Sequence, residues 1–102
     1  MTGKITAVCA VPGSAFPAIR PGVAQNVAVG AATAQSAALG SPVVRLVSTV
    51  DCHVLFGSNP TALATSMFLP AKQPEYFVCL PTDKIAVIQD AAGGNLSITP
   101  AT

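Results

Sequence analysis

The chain has 102 residues, 51% of them hydrophobic and only 9% charged, with five Lys or Arg against four Asp or Glu for a net charge of +1. That length fits one domain, and the charged fraction stands far below the roughly 25% of an ordinary soluble protein. The basic residues (Lys4, Arg20, Arg45, Lys72 and Lys84) are scattered, so no basic stripe follows a phosphate backbone, and nucleic-acid binding is not expected.

The opening "MTGKITAVCAVPG" carries one lysine and a short apolar run broken by Pro12 and Gly13, which does not read as a signal peptide. Pro12, Pro17 and Pro21 lie among small and apolar residues, so residues 1–24 are expected to form an extended Pro-rich arm, with a strand at Lys4–Val11. Residues 25–102 are left as the folded domain. The longest uncharged stretch, Pro21 to Val44, contains Gln25, Asn26, Gln35 and Ser36 and is dominated by alanine, so a membrane span is rejected.

The first strand of the domain is expected at Gln25–Val29. The alanine-rich stretch Ala31–Leu39 is boxed between Gly30 and Gly40 and is read as a strand or loop rather than a helix. The clearest pattern is "VVRLVSTVDCHVLF", residues 43–56. Its even positions are Val44, Leu46, Ser48, Val50, Cys52, Val54 and Phe56; its odd positions include Arg45, Asp51 and His53, all of its ionisable side chains apart from the thiol. A period of two places successive side chains on opposite faces. The run is too long for one ordinary strand, so a bend or turn is expected near Ser48–Asp51. Cys52 and His53 then point to opposite faces and cannot make a thiolate–imidazole pair. Asp51 and His53 share a face.

"GSNPTA" at 57–62 reads as a turn. Strands follow at Glu75–Leu80, Lys84–Gln89 and Asn95–Thr99, with "DAAGG" at 90–94 expected to close a hairpin between the last two. Short strands bounded by proline and turn residues predict an all-β fold, a small antiparallel β-sandwich, with a jelly roll among the arrangements it permits.

Chemistry-bearing residues are few. Cys9, Cys52 and Cys79 are an odd set without a leader, which reads as reduced thiols in a cytoplasm. With His53 they show no metal-ligand spacing, so no metal is expected. The single histidine has no nucleophile motif around it, and Asp51, Glu75, Asp83 and Asp90 fall in no catalytic pattern. No phosphate-cradling loop is present. The expectation is therefore a non-enzyme without cofactor. Tyr76 and Phe77 raise a carbohydrate-binding module as an alternative, although adjacent strand residues face opposite ways. Arg45 is a candidate interface anchor, because charges are scarce and arginine is enriched in protein contacts.

Three segments, "VRLVSTVDCHVLFGSNPTA", "FLPAKQPEYFVC" and "DKIAVIQDAAGGNLSIT", together resemble small virion structural proteins of tailed bacteriophages. The likeness runs from Arg45 onward: a strand ending in Phe-Gly, an Asn-Pro-Thr-Ala turn, "LPA…PEYF", a Lys-Ile-Ala-Val-Ile strand and a closing Gly-Gly hairpin. It implies a compact β-sandwich on the virion and carries no catalytic residues. Combined with the charge deficit, the resemblance implies a capsid decoration or cement protein, made in the host cytoplasm and bound to the head exterior. Its partners would be the major capsid protein and copies of itself, a trimer being one arrangement. A neck, tail or fibre component is the alternative within the same class. The contact residues expected are Phe16, Ile19 and Arg20 in the arm, with Arg45 and Tyr76 on the domain.

Overall fold

The computed structural model describes residues 20–101, and within them the chain forms eight strands and no helix. The strands are β1 (Gln25–Val29), β2 (Ala34–Gln35), β3 (Val43–Ser48), β4 (Cys52–Gly57), β5 (Met67–Leu69), β6 (Glu75–Val78), β7 (Lys84–Gln89) and β8 (Gly94–Pro100). They build two sheets of four, ordered β1-β8-β3-β6 and β2-β7-β4-β5. The pairings β1–β8, β2–β7, β3–β6 and β4–β5 are all antiparallel, as in one long hairpin. Rolling that hairpin adds the β3–β8 and β4–β7 ladders. This is a jelly-roll sandwich, in which the chain changes sheet at every step except β4 to β5, the end of the rolled hairpin.

The expected bounds of β1 and β7 coincide with the observed ones. The strand expected at Glu75–Leu80 stops at Val78, and the short β5 was not expected at all. The alanine-rich stretch yields the two-residue β2, with Gly40 (φ 68°) ending the excursion in a conformation that favours glycine. The strand expected at Lys4–Val11 lies outside the described residues.

One expectation is corrected. Residues 90–94 do not close a hairpin, because β7 and β8 belong to different sheets. The segment instead crosses between sheets beside the β3–β4 crossing at 49–51, and the two crossings are tied together. Thr49 N donates to Asn95 O (2.9 Å), and Asn95 N donates to Thr49 Oγ1 (3.0 Å). The turn residues Gly93 and Gly94 have the composition of a hairpin but serve close approach instead. A Cβ on Gly93 would sit 2.8 Å from Val29 O, and one on Gly94 would overlap Thr49 Oγ1.

The period-two pattern in residues 43–56 survives the change of sheet. Val44 and Leu46 on β3, and Cys52 and Val54 on β4, all point between the sheets and join the core. Val27, Val29, Leu96 and Ile98 complete the first inner face; Ile85, Val87 and Leu69 complete the second. At one margin Phe56 and Phe77 close the gap between sheets at a ring separation of 5.5 Å. The core is dominated by β-branched and leucine side chains, which pack well on pleated surfaces.

Candidate functional site

Side chains that do not enter the core define two outer faces. On the outer face of β1-β8-β3-β6, the register places Arg45 opposite Tyr76 and Val43 opposite Val78. Tyr76, Val78 and Leu80 are 54%, 61% and 64% exposed, a row of apolar side chains along the margin of the sheet. Arg45 is half-buried beside them, and no ion pair forms around it among the described residues.

Among the described residues, no strand pairs with the outer side of β6 on the same margin. Cys79 N donates to Pro42 O at 2.8 Å, continuing the β3–β6 register by one pair. In an antiparallel ladder the main-chain groups of alternate residues turn toward and away from the partner. Glu75, Phe77 and Cys79 therefore face β3, and the N–H and C=O groups of Tyr76 and Val78 point out of the sheet. Pro74 and Pro81 bound the open stretch. The other edges differ. β2 and β5 have two and three residues, and the β1 margin is tied to the opposite sheet where Ala37 N donates to Gln25 Oε1 (3.0 Å). Natural sheets usually guard an edge with charge; residues 76–80 carry none.

Tyr76 and Phe77 do not form a common platform. Tyr76 faces outward, whereas Phe77 packs against the core beside Phe56. Of the residues expected at an interface, Arg45 and Tyr76 lie side by side. Arg20 is exposed at the start of the described chain, close to the Pro21–Ala101 bridge. Phe16 and Ile19 lie outside the described residues. Val78 and Leu80 were missed, although alternation through "EYFVCL" places them on the face of Tyr76.

The second outer face holds the Asp–Cys–His stretch, and its three residues go separate ways. Cys52 is fully buried in the core, and burial pushes its thiol above the ordinary cysteine range. Cys79 is also buried; its Sγ–H donates to Ser41 O (3.1 Å), and burial with Asp83 nearby raises its pKa to about 11. Thiols held protonated in this way are poor nucleophiles. Asp51 Oδ1 accepts a hydrogen bond from Ala71 N (2.8 Å), so it does not engage His53. The partner of His53 is Asp90, with Nε2 2.9 Å from Oδ1, while Nδ1 lies 3.0 Å from the carbonyl of Ser66. In the β4–β7 register His53 is opposite Ile88, which puts Asp90 on the neighbouring diagonal of the same face. Phe68 completes the surroundings with an edge contact at 5.6 Å. Asp90 first, and the Ser66 carbonyl second, raise the His53 pKa above its ordinary value.

His53 sits on the outer face, as its odd position requires, yet it is buried. A loop covers it. Among the described residues no group of three or more His, Cys, Asp or Glu is gathered closely enough to hold a metal ion. No protein-family model, curated protein or solved structure matches this chain.

Proposed function

We propose that this chain is a structural protein of a tailed-phage virion, a cement protein that binds the head exterior and strengthens contacts between capsid subunits. The observation that carries the reading is the β6 edge, unpaired among the described residues, with the uncharged run of residues 76–80 placing Tyr76, Val78 and Leu80 outward beside Arg45. It supports the reading because an edge strand with outward N–H and C=O groups pairs with a strand of another chain, while alternate side chains fill its pockets. The low charge of the whole chain points the same way, as does the resemblance of its sequence from Arg45 onward.

The mechanism is passive. A protein that binds the assembled shell and not its separate subunits stabilises the shell by mass action. Many such contacts on a symmetric lattice add, so each one remains weak by itself. The partners are the major capsid protein and further copies of this chain, and the site of action is the capsid surface.

The test is cryo-electron microscopy of purified particles, paired with binding of the isolated chain to heads that lack it. The expected density covers the head at hundreds of copies, with β6 at a contact. Val78→Glu places a carboxylate on the open edge and is expected to abolish head binding while leaving the fold intact. Density confined to neck, tail or fibre would replace the cement role by the other virion position. Absence from particles would reject both.

A further inference from the structure

We propose that His53 and Asp90 form a pH-operated latch that holds residues 58–66 closed as a flap over the outer face of the β2-β7-β4-β5 sheet. The flap leaves β4 at Gly57 and returns at β5, but it does not take the short way. Ala62 N donates to Thr33 Oγ1 (2.9 Å), and Gln35 Nε2 donates to Asn59 Oδ1 and to Pro60 O, each at 2.8 Å. Those partners lie on or next to β2, on the far side of β7 from β4. The loop therefore crosses the outer face of β7. Burial agrees: Ile85 and Val87 point into the core, so Ala86 points outward, yet it is 0% exposed and Ala62 only 1%. Pro60 is buried as well.

The return of the flap is held by the histidine. Ser66 N donates to Leu63 O (2.9 Å) to make the closing turn, and the Ser66 carbonyl then faces His53 Nδ1. Both partners of the imidazole are oxygens that accept, a carbonyl and a carboxylate. Both ring nitrogens must therefore carry hydrogen, which only the imidazolium does. Neutral imidazole keeps one N–H. Attraction to the carboxylate holds it toward Asp90, and Nδ1 then turns a lone pair toward the Ser66 carbonyl.

The charged surroundings of His53 favour the imidazolium. Asp51 immediately precedes its own strand and Asp90 immediately follows β7; Asp90 N donates to Asp51 O (3.3 Å), so that the two acidic residues stand opposite each other. β5 and the flap contribute no ionisable side chain. Among the described residues the lysines are Lys84, opposite Gly57 at the other end of β7, and the exposed Lys72 after β5. The other ties of the flap are made by amides, a hydroxyl and carbonyls, none of which titrates near neutrality. Because the folded histidine has the higher pKa, its contribution is complete below the unfolded value and is lost as pH rises through the folded one. The latch is closed in acid and released in base, uncovering Ala86 beside the already exposed Leu55 and Phe68.

Amide hydrogen exchange of the full chain tests this, read by NMR at Ala62 and Ser66 and corrected for the intrinsic dependence on pH. Protection at these amides is expected to fall roughly tenfold between pH 5 and 8, about the value of one hydrogen bond to a charged group. The midpoint should match the titration of the His53 ring. In Asp90→Asn both the midpoint and the ring pKa are expected to move to lower pH, and in His53→Gln the step should vanish. Protection in the native chain that ignores pH overturns the proposal, as does a step that survives in His53→Gln. Should His53→Gln fail to fold, an unmoved midpoint in Asp90→Asn, a change at an exposed side chain, overturns it equally.

Discussion

Gly94→Ala probes the corner where both sheet crossings meet. The added Cβ would overlap Thr49 Oγ1 and stand 2.9 and 3.0 Å from the two γ-carbons of Val50. Neither neighbour is the tip of a long side chain that swings aside. Rotating Thr49 away breaks its bond to Asn95 N, and Val50 is half-buried against the core. Forcing a methyl group into such a site costs about 1–3 kcal/mol, and loss of the Thr49 bond adds about 1 kcal/mol. The substitution is therefore expected to destabilise by about 2–4 kcal/mol, lowering the melting temperature by about 10–30 °C for a domain of this size. Thermal unfolding followed by circular dichroism measures it. A double-mutant cycle with Thr49→Ala adds a sharper test. With Oγ1 gone, one of the two overlaps disappears, and Gly94→Ala should cost about 1 kcal/mol less in that background. A Gly94→Ala protein within about 0.5 kcal/mol of the parent would refute the steric account of the corner.

Leu46 is fully buried on the central strand β3, and Leu46→Ala should cost about 3–5 kcal/mol in urea unfolding. Ser36 Oγ accepts from Ile85 N (2.9 Å) and donates to Ala37 O (2.8 Å); Ser36→Ala orphans a buried amide and should cost about 1–3 kcal/mol. Cys52 and Cys79 should resist a thiol reagent at pH 8 in the folded chain and react promptly in denaturant, so rapid labelling of the native protein at either of these two sites, told apart from Cys9 by peptide mapping, would contradict their burial. Val78→Glu should change monomer stability by less than about 0.5 kcal/mol, because its side chain is 61% exposed. A large loss of stability would mean that Val78 serves the fold rather than a contact.

The all-β class was legible because its cause is local. Nine prolines remove helices, and alternation through residues 43–56 tells which side chains enter the core, a sidedness that holds even where the chain changes sheet. The separation of Cys52 from His53 follows from the same alternation. Pairing partners were not legible in this way. "DAAGG" carries the residues of a hairpin, and only the rolled topology turns it into a crossing where glycine is needed for close approach rather than for a tight turn. Likewise Asp51 is the carboxylate nearest His53 in sequence, but the β4–β7 register delivers Asp90 instead and gives Asp51 to Ala71 N. Alternation is a property of one strand and is written in its residues. Which strand lies alongside, which edge stays open and which loop folds over an outer face depend on contacts between residues far apart in the chain, and those are decided only when the two sheets close on their common core.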